Sequence, residues 1–161
     1  MPKHIISALV ANRPGVLARV AGLFSARGFN IESLAVGETE GPDLSRMTIV
    51  VGGDEAILEQ VRKQLEKLID VVKVQDFSGQ QYVERDLVLI RVNTPAERRN
   101  EVLELVGIFR ARIVDVGHSD VMVELAGTED KIEAFLDLVR PYGVKEMART
   151  GRIALSRSAN R

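Results

Sequence analysis

The sequence predicts an α+β protein made of two successive units that share one order of elements, strand–helix–strand–strand–helix–strand. Short apolar or alternating runs, typical of strands, are interleaved with stretches in which apolar residues recur at helical spacing. The same order appears in both halves of the 161 residues. The first helices begin near Pro14 and Pro95, 81 residues apart, and the second helices near Asp54 and Thr128, 74 residues apart.

In the first unit, the strands are predicted at 4–11, 31–37, 46–51 and 71–77. Pro14 suits the first turn of a helix because its missing N–H would have no helical partner there, and Gly28 is a typical helix end. Asp54 follows the third strand and can cap the second helix. The apolar stripes of the two helices are Val16, Leu17, Val20, Leu23 and Phe24, and then Ile57, Val61, Leu65 and Leu68.

In the second unit, the strands are predicted at 87–92, 113–116, 121–125 and 144–148. Thr94-Pro95 opens the first helix of this unit, and Thr128 can cap the second, which Gly143 ends. The polar connection at 78–81 separates the two copies, so we predict domains at 1–78 and 79–161.

Each unit is therefore predicted to be ferredoxin-like, with both helices on one face of an antiparallel sheet. The opposite face of the sheet and its edge strands would stay open, and a unit of about 70–80 residues has a marginal core of its own. We therefore expect the chain to form a homo-oligomer.

Composition excludes several classes of function. A net charge of −1 provides no electrostatic attraction to nucleic acid or to an anionic membrane, and no apolar run is long enough to span a bilayer. The predicted central strands contain no aromatic residue on which RNA bases could stack. With no cysteine and no signal segment before the first strand, we expect a cytoplasmic globular protein with neither a nucleic-acid nor a membrane partner.

Catalytic groups are also missing from the sequence. The two histidines, His4 and His118, fall in different units, and each is more readily explained as a surface or structural residue than as a ligand or base. No His-Glu-x-x-His helix, cysteine pair or phosphate-binding loop is present. We therefore predict no catalytic residue and no metal ligand, and a small stand-alone enzyme is disfavoured.

One segment could hold a small ligand. Asn12-Arg13-Pro14-Gly15 lies between the first strand and the start of the first helix, where free N–H groups and the helix dipole suit a carboxylate. Gly15 permits close approach, and the amide of Asn12 could bind an ammonium or carboxylate group. Asn30 could do the same from the far end of the helix, across a dimer interface. Alternatively, Asn12 is only a turn residue and Asn30 only a helix-exit residue.

Several segments together resemble the small subunits of acetohydroxyacid synthase, also called acetolactate synthase. They cover essentially the whole chain in the right order: GLFSARGFNIESL at 22–34, LSRMTI at 44–49, EKLIDVVKV at 66–74, VER at 83–85, IFRARIVDV at 108–116, ELAGT at 124–128 and RTG at 149–151. A Pro-Gly-Val-Leu loop alone would indicate only the broad ACT superfamily, whereas this combination is much more specific.

The resemblance implies an N-terminal ACT domain that binds valine or another branched-chain amino acid at a homodimer interface, followed by a C-terminal ACT-like domain. The residues that it assigns to the effector are Asn12, Gly15, Val16 and Leu17 of one chain, with Asn30 and Ile31 of the neighbouring chain. It implies no cofactor in this chain. Thiamine diphosphate, Mg²⁺ and FAD would belong to the catalytic large subunit, which condenses pyruvate with pyruvate or 2-oxobutyrate.

The function implied by the resemblance is regulatory. The chain would stimulate the catalytic subunit and make it sensitive to feedback inhibition by valine in branched-chain amino-acid biosynthesis. The C-terminal domain would help to contact and activate that subunit. The alternative is an ACT-type amino-acid sensor or transcriptional regulator that acts without a catalytic partner. We rank it second because neither a helix-turn-helix pattern nor a basic patch accompanies the two units.

Overall fold

A computed structural model of the chain describes residues 2–158, which form two compact units. The N-terminal unit contains the chain up to Val83 together with the C-terminal segment from Arg152, and the second unit is Glu84–Gly151. This division differs from the predicted domains, 1–78 and 79–161, because the C-terminal segment leaves the second unit and packs in the first.

The N-terminal unit has the predicted βαββαβ order. Its strands are β1 (Lys3–Ala11), β2 (Ile31–Glu38), β3 (Leu44–Gly52) and β4 (Val71–Asp76), and its helices are α1 (Val16–Arg27) and α2 (Glu55–Glu66). The strands form one antiparallel sheet in the order β2-β3-β1-β4, so β2 and β4 are its edges.

Both helices pack on one face of this sheet, as the apolar stripes predicted. Alternate residues of β1 face the helices because successive side chains of a strand point to opposite sides. The shared core consists of Ile6, Ala8, Val10, Val16, Val20, Phe24, Met47, Ile49, Val51, Leu58, Val61 and Leu65. The α2 stripe is shifted slightly from the prediction, since Leu58 is buried whereas Ile57 and Leu68 are only partly so.

Short-range signals at the helix ends are largely confirmed. The Asp54 carboxylate caps α2 by accepting a hydrogen bond of 3.0 Å from the Ile57 N–H. Gly28 ends α1 at φ 69°, a left-handed conformation that favours glycine. Pro14 was predicted in the first turn of α1, but the helix begins two residues later at Val16, with Gly15 at its N-cap.

The second unit repeats the architecture. Its strands are β5 (Tyr82–Asn93), β6 (Arg112–Val116), β7 (Asp120–Gly127) and β8 (Val144–Arg149), and its helices are α3 (Arg99–Ile108) and α4 (Glu129–Val139). The antiparallel order β6-β7-β5-β8 matches that of the first sheet. Thr128 caps α4 by accepting a hydrogen bond of 3.3 Å from the Lys131 N–H. The helix predicted to open at Thr94-Pro95 begins as α3 only at Arg99, after a 3₁₀ turn at Ala96–Arg98.

Backbone hydrogen bonds establish which residues of the two units correspond. The Ala11 N–H donates to the Asp70 carbonyl at 2.8 Å, and the Asn93 N–H donates to the Gly143 carbonyl at 2.7 Å. A second matched pair of bonds, both 2.8 Å, runs from Asn12 to Asp43 and from Thr94 to Ser119. The corresponding loops are therefore offset by 82 residues, one more than the prolines suggested.

An additional strand, β9 (Ile153–Ser156), was not predicted. It pairs with β5, and the Arg157 N–H donates to the Gln81 carbonyl at 3.0 Å. Ala154 of β9 is buried with Ile5, Val50 and Phe77 on the sheet face that points away from the helices. The outer face of the N-terminal sheet was predicted to be bare, but the chain's own C-terminal segment covers part of it.

Candidate functional site

The predicted ligand loop lies at the surface of the N-terminal unit, between β1 and α1. The side chains of Asn12 and Arg13 are exposed, whereas the loop backbone is held firmly. The Asn12 N–H donates to the Asp43 carbonyl at 2.8 Å, and the Arg13 N–H donates to the Ala11 carbonyl at 3.0 Å. These bonds leave the Asn12 side chain free to face solvent in front of the helix.

The N-terminus of α1 is built without a side-chain cap. Gly15 occupies the N-cap position at φ 85° and ψ −10°, and its carbonyl accepts a hydrogen bond of 3.0 Å from the Arg19 N–H. Among residues 2–158, no side chain caps the start of α1 or of α3, in contrast to the capped starts of α2 and α4. Uncapped N–H groups and the positive end of the helix dipole together favour an anion here.

A buried carboxylate anchors this loop. The Asp70 side chain is only 7% exposed and lies in the turn between α2 and β4. Its Oδ1 accepts a hydrogen bond of 2.9 Å from Arg13 Nη2, and its Oδ2 accepts one of 2.7 Å from Arg19 Nε. Because Arg13 lies in the loop and Arg19 in the first turns of α1, Asp70 joins both to the end of the sheet. We call these three residues the Asp70 clamp.

The clamp also gives the loop a positive electrostatic character. The guanidinium groups of Arg13 and Arg19 both face the single carboxylate of Asp70. The Arg13 side chain is 66% exposed and the Arg19 side chain is 52% exposed. A Cβ atom built on Gly15 would lie 3.4 Å from Arg19 Nη1, so this guanidinium stands beside the helix start. The excess positive charge adds to the helix dipole, and the site therefore suits a small carboxylate.

The other predicted effector residues of this chain lie in different environments. Val16 is 2% exposed and belongs to the core, so only its backbone can face a ligand. Leu17 is 46% exposed, which is unusual for a large apolar residue and leaves its side chain open beside the loop.

Asn30 and Ile31 lie at the opposite end of α1. The helix has 12 residues, a length of about 18 Å, so the two ends of one chain cannot contact the same small amino acid. The Asn30 side chain is exposed and donates a hydrogen bond of 3.0 Å to Glu32 Oε1, while Ile31 packs partly against the core. The structure therefore brings Asn12, Gly15 and Leu17 together and keeps Asn30 apart from them within one chain.

In the second unit, the Arg99 side chain joins the start of α3 to the turn between β6 and β7. Arg99 Nη2 donates to the Gly117 carbonyl at 2.7 Å and to the His118 carbonyl at 3.1 Å. Nearby charges in this unit are paired with one another at the surface: the Lys145 ammonium, 3.0 Å from Asp120, lowers the pKa of that carboxyl. The start of α3 also has no side-chain cap, but there the Arg99 side chain is held against the neighbouring turn.

The side chain of His118 is exposed, and that of His4 is partly buried. His4 Nε2 lies 3.0 Å from the Gly53 carbonyl, next to the end of β3. Across residues 2–158, no three His, Cys, Asp or Glu side chains are grouped so that they could hold a metal ion. Over the same residues, no helix combines the length and the apolar character needed to cross a membrane.

Comparisons with known proteins identify the family. A family model described as the AHAS small subunit-like ACT domain matches residues 6–73, and one described as the small subunit of acetolactate synthase matches residues 85–158. A probable acetolactate synthase small subunit of Archaeoglobus fulgidus is 61% identical over 155 residues, which cover 96% of this chain and 97% of that protein. The chain belongs to the acetolactate synthase small-subunit family.

Further relatives of the acetolactate synthase small-subunit family agree in sequence and in structure. The acetolactate synthase small subunit of Aquifex aeolicus is 52% identical over 156 residues, covering 96% of this chain and 81% of that protein. The crystal structure of the acetolactate synthase small subunit from Thermotoga maritima superposes with a TM-score of 0.88 at 45% identity and covers 98% of both chains. The two-unit ACT architecture predicted from the sequence is thus confirmed.

Two features of the site were not found from the sequence. Asp70 was visible only as one residue of a family segment, because its arginine partners lie 57 and 51 residues away along the chain. Arg19 was not predicted to belong to the site, because a charged residue on an exposed helix face usually contacts only solvent. No local pattern connects these residues, and only the folded geometry brings them together.

Proposed function

We propose that this chain is the regulatory subunit that stimulates the catalytic subunit of acetolactate synthase and makes it sensitive to valine. The observation that carries the proposal is the uncapped N-terminus of α1 at Gly15, within an ACT domain of this family. Such a helix start is a ready site for the carboxylate of an amino acid. In this proposal the chemical reaction takes place in the catalytic subunit.

The loop offers a partner for each part of valine. The ligand carboxylate would accept hydrogen bonds from the first-turn N–H groups, and the Asn12 amide oxygen would accept one from the ammonium group. The exposed side chain of Leu17 supports an apolar contact with the isopropyl group. Burying that group would contribute about 1.5–3 kcal/mol of affinity. Leucine or isoleucine would bind too, since apolar pockets separate such ligands by only about 1–3 kcal/mol.

A homodimer would complete the site. Asn30 and Ile31 cannot reach the loop of their own chain, so in the proposal they meet the loop of a second copy. The edge strand β2 and the neighbouring helix α1 support this arrangement, because Val36 and Leu17 are both 46% exposed there. A Cβ atom built on Gly22 of α1 would meet nothing within 4 Å, which leaves room for close packing of a second helix.

The remaining partner in the proposal is the catalytic large subunit, in the cytoplasm. Thiamine diphosphate, Mg²⁺ and FAD would be bound there, and valine would act on it only through this chain. Valine must favour one of two conformations of the complex, because a ligand with equal affinity for both would shift nothing. A coupling free energy of about 1–3 kcal/mol would change activity by the usual factor of about 5–150.

Reconstitution tests the proposal. We expect the chain to co-purify with the thiamine-diphosphate-dependent catalytic subunit of the same organism and to raise its rate of acetolactate formation. L-Valine should lower the rate of the complex, leave the isolated catalytic subunit unaffected, and release heat on titration into the isolated chain. Valine binding without co-purification or stimulation would instead indicate a stand-alone amino-acid sensor. Stimulation without any response to valine would refute the effector part of the proposal.

A further inference from the structure

The Asp70 clamp places a specific donor beside the effector loop. Asp70 Oδ2 engages two nitrogens of one guanidinium, Arg19 Nε at 2.7 Å and Arg19 Nη2 at 2.5 Å. This pairing occupies one side of the planar group and leaves Nη1 on the other side. Nη1 lies 3.4 Å from the position of a Cβ atom on Gly15. In the part of the chain that the structure describes, Nη1 has no hydrogen-bond partner, and it lies beside the space in front of the α1 N-terminus.

The second unit shows that the fold itself does not require this clamp. Matched backbone hydrogen bonds place Gly143 where the first unit has Asp70. Glycine carries no side chain, and the connection that follows β5 runs through Thr94-Pro95 and a 3₁₀ turn at Ala96–Arg98. Both units nevertheless have the same strand order, and each has its own buried apolar core. At the matched position, the carboxylate is therefore present in the first unit and absent from the second.

Burial makes the arrangement rigid. The Asp70 carboxylate is almost fully removed from water, so it needs its two guanidinium partners to compensate its charge. Arg13 and Arg19 are otherwise half exposed and would sample many rotamers in solution. Holding them through Asp70 fixes the loop before the ligand arrives, and less conformational entropy is then lost on binding.

We propose that Arg19 is an effector-binding residue, donating from Nη1 to the carboxylate of the amino acid, and that Asp70 is the residue that positions it. This inference rests on the proposed function and extends it by naming a donor outside the predicted loop. Arg19 and the helix N–H groups converge on one carboxylate, whereas Asn12 and Leu17 face the rest of the ligand. Asp70 touches no part of the ligand and acts through Arg19 and Arg13.

The first test is calorimetric titration of L-valine into the full chain carrying Arg19→Gln or Arg19→Lys. Loss of one charge-assisted hydrogen bond should raise the Kd of Arg19→Gln roughly tenfold to a hundredfold, with Arg19→Lys between it and the unchanged chain. The Arg19 side chain is 52% exposed, so these variants should fold normally. A Kd for Arg19→Gln within about threefold of the unchanged chain would overturn the assignment.

The positioning role is tested with Asp70→Asn and a matched control, Asp86→Asn. Asp86 of the second unit is also a buried carboxylate, with a 2% exposed side chain that accepts hydrogen bonds of 2.7 and 3.1 Å from Arg149. We expect Asp70→Asn to weaken valine binding about tenfold. Asp86→Asn should leave the valine Kd unchanged even if its Tm falls as much. The double variant Arg19→Gln/Asp70→Asn should bind no more weakly than the weaker single variant, because the residues act as one unit.

Activity and binding measurements on the reconstituted complex distinguish a failure of this inference from a failure of the proposed function. In complexes that contain Arg19→Gln or Asp70→Asn, half-inhibition by valine should need correspondingly higher valine concentrations than in the unchanged complex. Equal loss of valine binding in Asp70→Asn and Asp86→Asn would reduce Asp70 to a merely structural residue. If the unchanged chain itself binds no valine, the proposed function fails. If it binds valine and both Arg19 variants bind equally well, only this inference fails.

Discussion

Gly15 occupies a backbone conformation that few other residues adopt without strain. Its φ of 85° turns the chain from β1 into α1 and leaves the first N–H groups of the helix uncovered. A side chain at this position would enter the space in front of the helix, 3.4 Å from Arg19 Nη1. The residue thus combines a requirement of the turn with an opening for a ligand.

Replacement of Gly15 by aspartate should remove feedback without removing stimulation. In Gly15→Asp, the new carboxylate would occupy the place of the effector carboxylate and accept the same N–H groups. We expect no valine inhibition of the reconstituted complex, at a cost of about 1–2 kcal/mol in stability from the left-handed backbone. Inhibition assays and thermal unfolding measure the two effects.

Gly15→Asn is the matched control for that substitution. Asparagine tolerates the left-handed region and has nearly the same size, but it carries no charge. Its Kd for valine should therefore lie between those of the unchanged chain and Gly15→Asp. Inhibition by valine that is equal in Gly15→Asp and the unchanged complex would contradict the assignment of this site.

Residues whose role depends on near neighbours in the chain could be predicted from the sequence, whereas a residue whose partners are far away in the chain could not. Asp54 and Thr128 were recognised as caps because a capping oxygen bonds three residues ahead, within one turn. Gly15 was recognised because a Pro-Gly pair before a helical stripe marks an open helix start. Asp70 was not recognised, since its role depends on residues brought near by the sheet. The effector role of all these residues stays a prediction until a ligand is measured.

Among the elements, β2 and α1 form the surface on which the proposed dimer depends. The edge strand β2 leaves its outer hydrogen-bonding groups unpaired by β3, and such edges pair readily with another strand. Val36 near the end of this strand and Leu17 of α1 leave apolar area exposed on the same side as the helices. Edge pairing of two copies would cover that area and bring the two ends of α1 from different chains together.

A charge on that edge should disrupt the dimer. In Val36→Asp, two carboxylates would face each other across the paired strands and would lose hydration. We expect a shift from dimer to monomer in sedimentation equilibrium, together with weaker valine binding. Val72→Asp is the control, because Val72 is a 63% exposed valine on β4, at the other edge of the same sheet. A dimer that survives Val36→Asp but not Val72→Asp would place the interface on the opposite edge.

Element order was predictable because hydrophobic periodicity distinguishes helices from strands over eight or more residues. The exceptions are short. β9 has four residues, of which Ala154 is buried, and so brief an alternation is indistinguishable from a polar tail. The start of α3 was placed too early because proline marks the beginning of a turn as well as of a helix, and here a 3₁₀ turn comes first.

In the whole molecule, the two units have the same fold and differ in the side chains of their loops. The Asp70 clamp occurs in the N-terminal unit, whereas in the second unit Arg99 donates to the Gly117 carbonyl. The division of labour implied by family resemblance, with effector binding in one unit and activation in the other, agrees with this difference and stays a proposal. Deletion of residues 84–161 is a poor test of it, because that cut also removes Ala154 from the N-terminal unit.

Truncation after Gly151 is a sharper probe of the molecule. Losing β9 would uncover Phe77, which is 2% exposed, together with Ile5 and Val50. Exposing one such aromatic side chain costs about 1.5–3 kcal/mol, so the Tm should fall and amide exchange in β1 and β3 should rise. Truncation after Ser156 retains the strand and should change neither. Unaltered exchange after the longer truncation would show that β9 does not stabilise this face.

Because β9 packs in the N-terminal unit, that unit cannot be completed before the second unit has been translated. Ala154 leaves the ribosome only after all of Glu84–Gly151 has been translated, although it covers a sheet whose four strands emerged first. Nascent chains usually fold domain by domain from the amino end, yet here part of one face of the first unit stays uncovered until the second unit has been translated. Chaperone contacts during translation should therefore persist on that face longer than the length of the N-terminal domain alone would require.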